Sequence, residues 1–134
     1  LRELTHLESL VLTDCDGVTD AGWGHVPGMT ELKDLWLNGT RITDSGLKHL
    51  AQLSNLEMLV LPGTAAITDA GLKHLSGLDN LQDLWFNGAN ISDKGLTLVA
   101  QLSALQYVDA GHTRVTVDGA RRFQRRLPDC ELEF

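Results

Sequence analysis

One phrase returns through this chain every 24 or 25 residues, opening at Leu4, Met29, Leu53, Leu78 and Leu102. It reads L-x-x-L-x-x-L-x-L, then a short polar turn, then I/V-T-D-x-G-L-x-x-L. A period of this length signals a repeat architecture, in which a unit buries its apolar face only against its neighbour. The strand phrases are Leu7-x-x-Leu10-x-Leu12, Leu32-x-x-Leu35-x-Leu37, Leu56-x-x-Leu59-x-Leu61, Leu81-x-x-Leu84-x-Phe86 and Leu105-x-x-Val108-x-Ala110. Their alternation predicts strands with leucines inward and the intervening side chains outward. Identical connections make the strands parallel and the coiling right-handed.

Helix starts recur at Thr19, Thr43, Thr68, Ser92 and Thr116, residue types that cap the free N–H groups of a first turn. Asp20, Asp44, Asp69 and Asp93 follow, where negative charge suits the helix dipole. Gly22, Gly46, Gly71, Gly95 and Gly119 stand three residues past each cap. Glycine weakens a helix, so its recurrence predicts close approach of neighbouring backbones. The chain from residue 117 to 134 departs from the pattern. An arginine-rich helix (Arg121, Arg122, Arg125, Arg126) stops at Pro128, and an alternating Cys130–Phe134 segment follows. This reads as a C-terminal cap with a charged outer face.

The 134 residues make one domain of about five repeats. Leu1-Arg2-Glu3-Leu4 matches Leu50-Ala51-Gln52-Leu53, so residues 1–3 read as the remnant of a preceding repeat. With neither an initiator Met nor a signal peptide, the chain reads as a fragment of a longer protein. Its first apolar layer, Leu4, Leu7, Leu10 and Leu12, is expected to be uncapped and open to self-association.

These residues resemble a leucine-rich repeat. Leu7 through Trp23, with Cys15 in the ladder position, is similar to the cysteine-containing subclass found in F-box-type substrate receptors. Ile67-Thr68-Asp69-Ala70-Gly71-Leu72-Lys73-His74-Leu75 and the ending Leu127-Pro128-Asp129-Cys130 resemble bacterial repeat proteins of planctomycete type. The resemblance implies an α/β right-handed solenoid with parallel strands on the concave face and helices on the convex face. The ladder position becomes Thr40, Thr64, Ala89 and Thr113 in later repeats. Threonine can still bond a neighbouring turn and Ala89 cannot, which predicts a weaker joint at the fourth repeat.

Function should then lie on the wall of outward strand residues. Its central row is Val11, Trp36, Val60, Trp85 and Asp109; the row before is Ser9, Asp34, Met58, Asp83 and Tyr107; the row after is Thr13, Asn38, Pro62, Asn87 and Gly111. Trp36 and Trp85 should stand two strands, about 10 Å, apart. Tryptophan and tyrosine are favoured at binding hot spots, and large apolar surface patches usually mark contacts. The expected site is therefore Trp36, Trp85, Tyr107, Met58, Val60, Asp34, Asp83 and Asp109. Its partner is a protein or peptide that presents an apolar knob and basic residues. The bland alternative is that the two indoles are ordinary strand residues packed on their neighbours. A spacer segment in a longer solenoid, and the substrate-recognition part of a larger enzyme or ligase-type complex, are the rival functions.

Other chemistry is poorly supported. Eleven basic against eighteen acidic residues give a net charge of −7, which disfavours nucleic acid. No apolar run approaches the ~18 residues of a membrane span. His25, His49 and His74 recur with the repeat, yet no carboxylate accompanies them at matching spacing, so they read as a solvated helix face rather than a metal site. The Asp20–Asp44–Asp69–Asp93 column lacks the six to eight converging oxygens calcium needs. The arginine cluster reads as a cap before it reads as an anion site. Cys15 and Cys130 should lie more than about 20 Å apart, beyond the ~7 Å reach of a disulfide. They read as buried free thiols, a weak sign of an intracellular compartment. No nucleophile–base pairing or phosphate loop is present, so no catalytic residue or cofactor is assigned.

Overall fold

The computed structural model describes residues 5–134 apart from His25, Pro62 and Thr64. Leu4 of the first layer, His25 of the histidine column, Thr64 of the ladder and Pro62 of the third row thus lie outside the described residues. Six strands form one open parallel sheet in sequence order: β1 (Ser9–Val11), β2 (Asp34–Trp36), β3 (Met58–Val60), β4 (Asp83–Trp85), β5 (Tyr107–Asp109) and β6 (Glu131–Glu133). Between them run helices α1 (Asp20–Trp23), α2 (Asp44–Leu50), α3 (Asp69–Leu72), α4 (Asp93–Val99) and α5 (Val117–Arg126), with 3₁₀ turns at Val26–Gly28 and Lys73–Leu75. Every strand is three residues long because each coil turns at once into its polar corner.

Inward residues make one continuous core. Leu35, Leu59, Leu84 and Val108 from the strands meet Leu47, Leu72, Leu96 and Phe123 from the helices, all essentially excluded from solvent. Asn38-Gly39 and Asn87-Gly88 leave the strand through a left-handed residue, with φ of 71° at Gly39 and 78° at Gly88. Asp14 (φ 56°) and His112 (φ 53°) take the same conformation in the first and last coils with ordinary side chains. All five expected residues precede a helix as its cap. The hydroxyls of Thr43, Thr68, Ser92 and Thr116 accept from N–H groups in the first turn, whereas that of Thr19 does not.

The lock between coils is the aspartate that follows the cap. Asp20 Oδ1 accepts from the Thr43 N–H at 2.8 Å and Asp20 Oδ2 from the Thr43 hydroxyl at 2.6 Å. Asp44 does the same to Thr68, Asp69 to Ser92 and Asp93 to Thr116. The carboxylate reaches sideways into the next coil's cap. This explains the glycine column and corrects its expected cause. A Cβ on Gly46, Gly71, Gly95 or Gly119 would collide with the carboxylate oxygen of Asp20, Asp44, Asp69 or Asp93. The close approach is by a side chain, not by backbone.

The ladder position also differs from expectation. The Thr40 hydroxyl donates to its own coil's Leu37 carbonyl at 2.7 Å, and Thr113 to the Ala110 carbonyl at 2.6 Å. Neither hydroxyl bonds a neighbouring turn, so Ala89 removes a bond within its coil rather than one between coils. The fourth joint keeps its backbone bond from the Asn90 N–H to the Ile67 carbonyl and its Asp69–Ser92 lock. Cys130 is buried and Cys15 only half-buried, both free thiols. Cys15 was expected to be buried; its Sγ instead lies 3.5 Å from the Thr13 carbonyl near the surface.

The last coil is tied down by its arginines. Arg122 reaches Asp93 at 2.8 Å, and Arg126 Nε donates to the Ala100 carbonyl at the end of α4. Asp118 pairs with Arg121 along the helix.

Candidate functional site

Strand register places the outward residues in straight rows. Val11, Trp36, Val60, Trp85, Asp109 and Glu133 are consecutive partners across the sheet, as are Ser9, Asp34, Met58, Asp83, Tyr107 and Glu131. The structure thus brings all eight expected site residues onto one wall. The rows continue onto β6, where Glu131 and Glu133 extend the acidic end that Asp109 begins.

The residues on that wall are not equally available. Val11 is 59% exposed and Trp36 37%, while Val60, between the two indoles, is 7% exposed. Trp85 is half-buried and packs against Tyr107, ring centroids 5.2 Å apart and planes tilted by 43°. Met58 is half-buried too. The apolar surface runs from β1 to β4, with Trp36 its most prominent large side chain.

Charge takes over toward β6. Asp83, Asp109, Glu131 and Glu133 surround the Trp85–Tyr107 pair, and none of them is in an ion pair among the described residues. Burial pushes the Asp83 carboxyl above its ordinary value. The Tyr107 hydroxyl is pushed up to about 12, first by burial, then by its hydrogen bond to Glu133 and by the charges of Glu133, Asp109 and Glu131. Burial alone accounts for the shift at Asp83, whereas at Tyr107 the neighbouring carboxylates add to it. Asp109 is partly engaged: its carboxylate accepts from the Asn87 amide at 3.2 Å and from the Gly111 N–H at 2.9 Å, which fixes the turn after β5. Sequence reasoning did not find that turn contact, because Asn87 and Asp109 meet only through stacking.

The remaining candidates separate from this wall. Asp20, Asp44, Asp69 and Asp93 spend both oxygens on the next cap, so they have no convergent lone pairs to offer a cation. His49 and His74 lie half-buried on the helical side. No cluster of potential metal ligands occurs among the described residues. Among those residues, too, no helix is long and apolar enough to cross a membrane.

Stacked parallel strands, helical returns and a leucine lattice define a leucine-rich repeat solenoid. A family model described as a leucine rich repeat matches residues 3–22. Among solved structures, a leucine-rich repeat protein of Leptospira interrogans aligns with a TM-score of 0.63 at 26% identity, covering 82% of this chain and 27% of its own. Internalin C2 of Listeria monocytogenes aligns with a TM-score of 0.67 at 23% identity, covering 94% of this chain and 60% of its own. An internalin, InlF, of the same organism aligns at 0.53 and 17% identity, covering 81% and 36%. The chain therefore shares the leucine-rich repeat fold, and it spans 27% to 60% of the length of these solved structures. No curated protein matches it.

Proposed function

We propose that this chain is a protein-interaction module whose strand-lined wall binds a peptide or protein segment carrying an apolar side chain next to basic residues. Trp36 and Trp85 carry the reading: two indoles held in one register row, two strands apart, on an open wall of a fold class that commonly mediates protein binding. The uncompensated carboxylates of Asp83, Asp109, Glu131 and Glu133 support the basic half, because an unpaired acidic surface favours a cationic partner. Asp34 adds charge beside Trp36. The module has no catalytic role in this reading.

Spacing within a longer solenoid is the second reading. Its support is that Val60 is covered by its neighbours and Trp85 leans on Tyr107, so part of the wall packs on itself. Kinship with the cysteine-containing subclass rests on Cys15 alone and bears on ancestry more than on binding.

Selection from a random displayed-peptide library separates the two. Binding sequences should pair an aromatic or aliphatic residue with Lys or Arg and weaken at high salt. Trp36→Ala and Trp85→Ala should each lower affinity by about 30-fold, the ~2 kcal/mol of a hot-spot residue, with the far-UV spectrum unchanged. Selected peptides that bind both variants as tightly as the parent would overturn the interaction reading.

A further inference from the structure

The helical side carries an open hollow of about 500 Å³ between the third and fourth coils, across the core from the strand wall. Three cations line it: Lys73 on the 3₁₀ turn after α3, Lys94 in the first turn of α4 and Arg114 in the corner before α5. They come from three successive coils, so only stacking brings them together. None of them is in an ion pair among the described residues. Among the described residues that line the hollow, Asp69 is the one carboxylate, and its two oxygens accept from the Ser92 N–H and hydroxyl.

Neither periodicity nor bulk charge produces this cluster. One repeat earlier the same three positions hold Lys48, Ala70 and Asn90; one repeat later the first two hold Thr97 and Asp118. The chain as a whole has a net charge of −7, so a cationic hollow runs against the sign of the molecule. Arg114 is held in place at both ends: its Nη1 donates to Asn90 Oδ1 at 3.0 Å, and its backbone N–H to the Ile91 carbonyl at 2.8 Å. Leu98 offers half-buried apolar surface beside the charges. A hollow lined by one sign of charge focuses its field and favours ligands of the other sign.

We propose that this hollow binds an acidic segment of a partner protein, with Asp or Glu side chains on Lys73, Lys94 and Arg114 and an apolar side chain on Leu98. Packed helices stand about 8–10 Å apart, so cations from successive coils are spread too widely for one phosphate group. An extended peptide presents side chains on one face about every 7 Å and meets such cations in turn. A nucleic-acid strand also spaces its charges, but its affinity rests on neutralising many phosphates, and this hollow offers three cations. The surface is separate from the strand wall and selects the opposite charge. The chain thus takes partner segments of unlike sign on its two sides.

The probe is a set of fluorescein-labelled peptides in which one leucine is flanked by Glu or Asp at varied spacing, each with a counterpart carrying Gln for every acid. Titrated against the whole chain by fluorescence anisotropy, acidic members should bind better than their counterparts and lose affinity as salt rises. Lys73→Gln, Lys94→Gln and Arg114→Gln should each weaken binding by about 2–5-fold, and the triple variant by about 10–100-fold. All three side chains are exposed, so the far-UV spectrum should not change. Lys48→Gln removes the same charge from the same side and should leave binding as it was. Because the strand wall is acidic, these peptides report on the hollow whatever the Trp36 and Trp85 variants show. Acidic peptides that bind no better than their Gln counterparts, or a Lys48→Gln effect as large as that of Lys94→Gln, would overturn the proposal. So would full displacement of the peptide by an equal concentration of inorganic phosphate or of a single-stranded oligonucleotide, which assigns the hollow to phosphate.

Discussion

The Asp44–Gly71 pair offers the sharpest check on how this solenoid is held together. Asp44 accepts two bonds from Thr68, at 2.8 Å from its N–H and 2.6 Å from its hydroxyl. Bonds to a charged group contribute about 1.5–3 kcal/mol; both donors are half-buried, so the low end applies and the pair contributes about 2–3 kcal/mol. Loss of a first-turn acid adds about 0.3–1 kcal/mol. Asp44→Ala should therefore lower stability by about 2–4 kcal/mol. Gly71→Ala improves helix propensity by about 1 kcal/mol, but its Cβ would strike the Asp44 carboxylate and stand 2.9 Å from Leu47 Cδ1. Overpacking of this kind costs about 1–3 kcal/mol, leaving a net loss of about 1 kcal/mol. Once Asp44 is alanine the nearest remaining clash is with the flexible Leu47 tip, and Gly71→Ala should become neutral or favourable. The two substitutions should thus be non-additive by about 1–2 kcal/mol. Urea unfolding followed by far-UV circular dichroism on the parent, both single variants and the double variant measures this. Effects that add within about 0.5 kcal/mol would refute the account of the glycine column.

Three further outcomes follow from particular residues. His112→Gly relieves a left-handed conformation that disfavours an L-residue by about 1–2 kcal/mol, less the added freedom of unfolded glycine, so a net gain of about 0.5–1 kcal/mol should appear in the urea midpoint. Asp93 has its carboxyl held below the usual value by the Thr116 N–H, then by the Thr116 hydroxyl and Arg122, against opposing burial. A depressed folded pKa gives stability that is present above the ordinary carboxylate range and lost as pH falls through the folded value. Asp93→Asn should accordingly be less stable at pH 7 and lose less on acidification, as read by unfolding midpoints between pH 7 and 2. Burial, followed by the charges of Asp83 and Glu131, pushes the Cys130 thiol up to about 11. Alkylation at pH 8 followed by mass spectrometry should modify half-buried Cys15 well before Cys130.

The sequence by itself determined the coil. A leucine in every second strand position and a capping hydroxyl at a constant distance left one arrangement, and it placed Trp36, Val60 and Trp85 in one row before any coordinates. Periodicity suffices there because strand alternation and repeat length are local properties. It could not say how far each side chain in the row is covered: Val60 is buried between its neighbours while Trp36 stands out. Nor could it show that the aspartates reach across to the next cap, that Thr40 turns back to its own carbonyl, or that Arg122 and Arg126 bind the last helix to the fourth coil. Those outcomes were decided by tertiary structure. Each depends on which atoms of a residue some 24 positions away come within hydrogen-bond reach, and a one-dimensional pattern states the spacing of such residues without stating what they touch.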